Sequence, residues 1–316
     1  MESPASGNRV HVTTEDLVAM EYQARDLRFV RRAGSRQQLA GRVPSSMRGR
    51  GLMFEELRDY LAGDDIRSID WRVTARSGKP SVRVYTEEKE RPALVVVDQR
   101  INMFFGSRRA TKSVTAAEAA ALCAWRVLGS GDRVGGLVFD DRDVDEVRPH
   151  RSRGAVIRLT DRIATRNGAL EAAFSGTPSP AALDRVLERT AAIADRDHLV
   201  VVVSDFDGHG PTTRDLMLRL SSRNEVVCIL VYDPFLLRLP RTGDIVVSGG
   251  GMQAELALGN TGVRDRIDGF ARERGRELSA WQKEMGLAML PVSAAEETAP
   301  QLRRLLEMSA WRQRRR

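Results

Sequence analysis

The chain is poor in the residue types that most often carry chemistry. It has two cysteines and four histidines in 316 residues. None stands in a CxxC or HxxxH arrangement, which excludes a zinc site of ordinary spacing. Cys123 lies in an Ala/Leu-rich helical stretch and Cys228 in an apolar, strand-like one, the settings of buried, reduced thiols. No GxSxG elbow occurs, and no histidine stands where it would pair with an activated serine or cysteine, so nucleophilic catalysis has no foothold. Aromatic residues make up only 5% of the chain, and aliphatic side chains must fill the core. Long apolar runs are missing as well. Leu199 to Val203 is the longest candidate, far below the ~20 residues of a spanning helix. Met1 to Val10 holds no apolar signal-like stretch. These absences predict a soluble, cytoplasmic protein with no membrane insertion.

What is present is charge, unevenly placed. Residues 25–50 hold eight arginines and one acid, a local +7, and residues 303–316 hold six arginines and one acid, a local +5. Set against the net charge of +7, the remaining body is mildly acidic. Basic segments of this kind suit an acidic protein surface or nucleic acid. The missing stacking aromatics count against nucleic acid.

The apolar pattern divides the chain. Thr13 to Asp16 supply a cap and first-turn acids, and Leu17, Met20, Ala24 and Leu27 follow at helical spacing. Residues 31–50 lose periodicity in a Gly- and Pro-punctuated basic loop. Ile69, Trp71 and Val73 alternate with polar residues as in a half-buried strand. A turn at 77–80 would return the chain over 81–85, forming a β-hairpin. From Pro92 the rhythm becomes strand, helix, strand. Apolar runs at 93–97, 199–203 and 225–231 read as strands buried on both faces, with helices over 113–128, 153–166, 180–194 and 212–222. The expected fold is α/β, a doubly wound, mostly parallel sheet behind a small lobe of one helix and a hairpin. The expected boundaries are 1–91 for the lobe, 92–308 for the sheet domain and 309–316 for a basic tail.

In such a sheet, ligands gather beyond the carboxyl ends of the strands. Asp98 and Asp205 each follow a buried strand there, and Thr177 lies in the loop Ser175-Gly-Thr-Pro178. Carboxylates and a hydroxyl converging from three loops suit a hard cation such as Mg²⁺ or Mn²⁺. Strand-end aspartates that merely cap the next helix are the plainer alternative. A second decoy is Gly106 to Ser113, which fits GxxxxGK[ST] except that Thr111 replaces the second glycine. That substitution removes the freedom the loop needs to turn its N–H groups toward phosphate.

The densest segment is Arg48-Gly-Arg-Gly-Leu-Met-Phe-Glu-Glu-Leu-Arg-Asp-Tyr60 followed by Gly63-Asp-Asp-Ile-Arg-Ser-Ile-Asp-Trp-Arg-Val-Thr-Ala-Arg76. Acids and arginines alternate around a few large apolar residues. Arg50, Glu55, Arg58, Asp64, Asp65, Arg67, Asp70, Trp71, Arg72 and Arg76 are therefore candidates either to lock the lobe or to bind a partner.

With Glu87-Glu88, Ala116 to Ala121, Gly131 to Gly135 and Tyr232-Asp-Pro234, this block closely resembles the bacterial family called domain of unknown function fifty-eight, in its short soluble form. The resemblance implies a von Willebrand factor A-like domain. It also implies an adaptor or assembly partner of a MoxR-type AAA+ ATPase, with no established reaction. The metal site of A domains reads Asp-x-Ser-x-Ser, followed by a later Thr and Asp. Here Asp98, Thr177 and Asp205 match, while Arg100 and Asn102 stand at both serine positions. An Asn oxygen can still ligate, whereas a guanidinium repels a divalent cation. The expectation is that Arg100 folds over Asp98 and Asp205 in the cation's place and that no cofactor is bound. A metal-dependent ligand-binding A domain and a degenerate nucleotide hydrolase are the alternatives.

Overall fold

Three runs of β-branched residues set the centre of the fold in the computed structural model. It describes residues 9–27, 38–39, 52–87, 91–172, 177–237, 244–249, 252–257 and 261–314. The chain divides into two compact units, Met1–Val30 with Arg91–Arg316, and Arg31–Glu90.

The first unit opens with two short helices, α1 (Thr14–Ala19) and α2 (Glu21–Ala24). It continues through β4 (Ala93–Asp98), α4 (Lys112–Gly129), β5 (Val134–Phe139), β6 (Val144–His150), α5 (Arg153–Gly168), α6 (Ala182–Ile193) and β7 (Leu199–Ser204). There follow α7 (Pro211–Arg223), β8 (Glu225–Tyr232), an antiparallel pair β9 (Asp244–Gly249) and β10 (Met252–Ala257), α8 (Thr261–Glu284), β11 (Ala288–Ser293) and α9 (Thr298–Arg314). The elements β1 to β3 and α3 belong to the second unit.

Six strands form one sheet in the order β11-β8-β7-β4-β5-β6. All neighbours are parallel except β6, which pairs antiparallel with β5. This is the expected doubly wound, mostly parallel sheet. The chain leaves β4 toward β5 on one side and returns to β7 on the other, so the winding reverses between β4 and β7. That reversal opens a crevice at their carboxyl ends.

Alternation along β4 shows why its apolar run is unbroken. Val95 and Val97 join the core cluster that contains residues of α4, α5 and α9, while Leu94 and Val96 join the one that contains residues of α6 and α7. Helix α4 is buried over most of its length. Its alanines let the sheet and neighbouring helices approach from several sides. Both thiols are buried and free, and burial pushes each up to about 12.

The first helical segment belongs to this unit, which corrects the expected start of the lobe from residue 1 to Arg31. Leu17, Met20, Ala24 and Leu27 enter the same core as α4, and the Trp125 indole donates to the Leu17 carbonyl at 3.0 Å. Two helices this short have no stability alone and need such packing. The cap at Thr13 forms as expected: its hydroxyl accepts from the Asp16 N–H at 3.2 Å, and the Asp16 carboxylate accepts from the Thr13 N–H at 3.1 Å. The expected tail at 309–316 is also corrected, because α9 runs on to Arg314. Arg315 and Arg316 lie outside the described residues.

The second unit holds β1 (Gln38–Leu39), β2 (Leu52–Asp59) and β3 (Ser81–Glu87) in the antiparallel order β1-β3-β2, with α3 (Trp71–Ser77) between β2 and β3 in the chain. The expected hairpin of 69–74 with 81–85 is wrong in its first arm. Residues 71–77 are helical, and the long partner of β3 is β2. Asp70 explains the switch. Its carboxylate accepts from the N–H groups of Arg72 and Val73 at 3.1 and 3.3 Å, capping the helix. Gly78 then ends it in the left-handed region at φ +73, where a side chain is disfavoured.

Candidate functional site

Each of the two central strands ends in a carboxylate at the crevice. Asp98 closes β4 opposite Phe139 of β5, and Asp205 follows β7 directly. Both are almost wholly buried, at 0% and 3% exposure. Two charges this deep need counter-charges or the carboxyls would neutralise.

Arg100, itself only 2% exposed, supplies the first. Its Nε donates to Asp98 Oδ1 at 3.0 Å and its Nη2 to Oδ2 at 2.7 Å, a bidentate fork. The third nitrogen, Nη1, donates to the Asp207 carbonyl at 3.1 Å. Nη2 also stands 3.9 Å from Asp205 Oδ1, and the guanidinium lies 5.5 Å from the centre of the Phe139 ring. Burial works against the Arg100 charge, but Asp98, with Asp205 and Asp207, outweighs it and raises its pKa above the ordinary arginine value.

Lys112 supplies the second. From the first position of α4 its Nζ donates to Asp205 Oδ2 at 2.5 Å. Asn102 adds its amide, donating to Asp205 Oδ1 and Oδ2 at 2.9 and 3.1 Å. Burial alone would raise the Asp205 pKa, but Lys112 first and then Arg100 hold it below the usual carboxylate range.

The remaining acceptor sites are filled from the chain. Asp98 Oδ1 accepts the Arg100 N–H at 3.0 Å, and Oδ2 accepts the Ser204 hydroxyl at 2.6 Å. Asp205 Oδ1 accepts the Asp207 N–H at 2.9 Å. Between them lies Phe206, buried and left-handed at φ 55. Such a conformation costs roughly 1–3 kcal/mol at a non-glycine residue. It is held by the Phe206 N–H donating to Ser204 Oγ at 2.8 Å and by an edge-on contact with Trp281. Arg274 of α8 pairs with the Asp207 carboxylate and braces the loop from outside.

Of the residues predicted for a cation site, Asp98, Asn102, Asp205 and Arg100 converge. Thr177 does not: it is exposed and makes no hydrogen bond to either aspartate among the described residues. The set does not fit a divalent cation. Asn102 turns its N–H group, not its oxygen, toward Asp205. Both aspartates are taken up by donors, and two cationic side chains already balance two carboxylates. A metal ion would meet a guanidinium and an ammonium within a few ångströms, a repulsion of several kcal/mol even at an effective dielectric of ~20. Among the described residues no cluster of His, Cys, Asp and Glu has the form of a metal site.

Lys112 and Ser204 were not read as site residues from sequence. A signal for Lys112 existed, because a lysine in the first turn of a helix opposes the macrodipole and calls for a carboxylate nearby. Its neighbour Gly106 has a packing reason of its own: a Cβ there would lie 2.1 Å from the Ala110 carbonyl oxygen. The phosphate-loop look-alike is thus occupied by an ion pair and a tight turn.

In the second unit, Arg58 forks onto Asp64 with two bonds of 2.8 Å, and the Asp65 carboxylate accepts the Arg67 N–H at 2.9 Å. Asp64, Asp65 and Asp70 therefore serve the lobe's own turns and caps. No described carboxylate pairs with Arg67, Arg72 or Arg76. Trp71 is 63% exposed, with Leu61 and Ile66 at 62% each. Arg50 and the Glu55 side chain lie outside the described residues, as does most of the basic segment 25–50.

A doubly wound α/β fold with a charge-balanced crevice at its switch point is the class this chain falls in. The family described as Protein of unknown function DUF58 matches residues 56–277, and the chain belongs to that family. Among sequence relatives, the uncharacterized proteins Mb1516 of Mycobacterium bovis and Rv1480 of Mycobacterium tuberculosis are each 31% identical over 192 residues. That match covers 61% of this chain and 58% of each relative, so the chain spans little more than half their length. Among solved structures, a conserved hypothetical protein BatB from Bacteroides thetaiotaomicron is similar at 13% identity and a TM-score of 0.40, over 71% of this chain and 98% of that one. A von Willebrand factor type A protein from Catenulispora acidiphila is similar at 10% identity and a TM-score of 0.35, over 72% and 43%. The fold assignment rests on the strand order and not on these likenesses. No helix among the described residues is long and apolar enough to cross a membrane.

Proposed function

We propose that this protein is a non-catalytic adaptor or assembly partner that acts through protein–protein contacts, with a MoxR-type AAA+ ATPase as its partner. The observation that carries the interaction role is the outward face of α3. Trp71 and Ala75 lie one helical turn apart and exposed, and Arg72 and Arg76 form the adjacent exposed stripe. An exposed tryptophan beside arginines with no described carboxylate partner is the composition of an interface centre. It suits an acidic segment carrying an apolar residue. The partner's class is supported only by the family resemblance. The crevice supports a non-catalytic role, since its carboxylates and cations are spent on one another.

The test is binding of the purified ATPase to the full chain, followed by calorimetry. Trp71→Ala should weaken binding by about thirtyfold, the effect of losing roughly 2 kcal/mol at an interface hot spot. Arg72→Glu with Arg76→Glu should weaken it further at low salt, with the circular dichroism of the free protein unchanged. Absence of binding by the wild type would reject the partner. Binding unaffected by these substitutions would reject the surface.

A further inference from the structure

The crevice between β4 and β7 has the carboxylates of a cation site and no room in its charge balance for a cation. We infer that Arg100 and Lys112 together are a built-in replacement for a divalent ion, so that this crevice is held in one permanent, metal-independent state.

Position is the first argument. The Arg100 guanidinium lies between the two carboxylates, forked onto Asp98 and 3.9 Å from Asp205. Lys112 takes the outer oxygen of Asp205 at 2.5 Å. One cation cannot reach both aspartates with full hydrogen bonds; two can, each from its own element. Charge is the second argument. Two carboxylates against a guanidinium and an ammonium sum to zero, the balance a single divalent ion would give. Coordination is the third. A metal accepts only lone pairs, yet Asn102 presents its N–H group to Asp205 and so offers an ion no oxygen there. Permanence follows from connectivity. Arg100 ties the end of β4 to the loop after β7, and Asp207 of that loop is held in turn by Arg274 of α8. A metal can leave such a site, whereas a side chain on the chain itself cannot.

The experiment compares Mn²⁺ binding and thermal stability in the full-length wild type, in Arg100→Ser with Lys112→Ser, and in that pair with Asp98→Asn added. Wild type should melt at the same temperature in EDTA and in millimolar Mn²⁺ and give no saturable heat on titration. The double variant leaves two buried carboxylates without counter-charge. It should bind Mn²⁺ at least on the order of a hundredfold more tightly than wild type and melt higher as Mn²⁺ is added. Adding Asp98→Asn should abolish that gain. Micromolar Mn²⁺ binding by the wild type would overturn the inference, and so would a folded double variant that still ignores Mn²⁺. Should the double variant fail to fold under any condition, the wild-type titration decides, with Arg100→Lys as a folded control that must also ignore Mn²⁺.

Discussion

At the scale of single residues, Asp205 carries the clearest consequence. A carboxyl whose pKa is depressed on folding contributes stability that is complete above its unfolded value, about 3.9, and is lost as pH falls through its folded value. Asp205 is depressed in this way by Lys112 and Arg100. Urea unfolding measured from neutral pH downward should show stability falling once pH passes the ordinary carboxylate range. Asp205→Asn should flatten that fall and also cost about 3–5 kcal/mol at neutral pH, since it strands the buried Lys112 charge. Equal acid dependence in the two proteins would remove Asp205 from this role. Asp98 and Asp205 were legible in the sequence because each follows an apolar run that reads as a buried strand. The Lys112 partnership was not, because residues 112 and 205 meet only through strand order. Thr177 was misplaced for the same reason: a motif position says nothing about where its loop turns.

At the scale of elements, the correction at α3 shows how a local pattern misleads. Ile69, Trp71 and Val73 alternate as a strand would, and periodicity over so few residues cannot separate strand from helix. Local capping chemistry decides instead. Asp70 turns its carboxylate onto two N–H groups, and Gly78 supplies the left-handed stop. Asp70→Ala should therefore lower the stability of the lobe by about 1 kcal/mol, and Asp70→Asn should retain most of it. Hydrogen exchange read at the amides of residues 72–74 would register the loss directly. Protection unchanged in Asp70→Ala would mean that packing, not the cap, holds the helix. The antiparallel edge strand β6 was also missed from sequence. It is half-exposed and carries four charged or histidine residues, Asp145, Glu146, Arg148 and His150, so it lacks the apolar signature of the inner strands.

At the scale of the whole molecule, one buried glutamate ties distant parts of the first unit together. Glu118 of α4 is fully buried. It accepts from Arg9 near the start at 2.9 Å, from Arg109 in the loop before α4 at 2.9 and 3.0 Å, and from Thr298 at the start of α9 at 2.5 Å. Glu118→Gln keeps the shape but removes the charge shared by two arginines. It should cost about 3–5 kcal/mol, with a lower midpoint and an unchanged slope in denaturant unfolding. A loss below about 1 kcal/mol, the range of surface pairs, would show that these contacts follow the packing and do not hold it.

By itself the sequence determined the parallel centre of the sheet. Short, continuous β-branched runs bounded by turn signals fit strands covered on both faces, and the helical periods between them fit crossovers, so the strand–helix alternation was readable without coordinates. It also determined which carboxylates end the central strands. The tertiary structure alone added Lys112 and Ser204 to the Arg100 and Asn102 expected there. They meet around Asp98 and Asp205 because β4 and β7 are neighbours across the winding reversal, a proximity that no spacing along the chain encodes. Electrostatics then settles the character of the crevice, since buried charge must be balanced by whatever folding brings within reach.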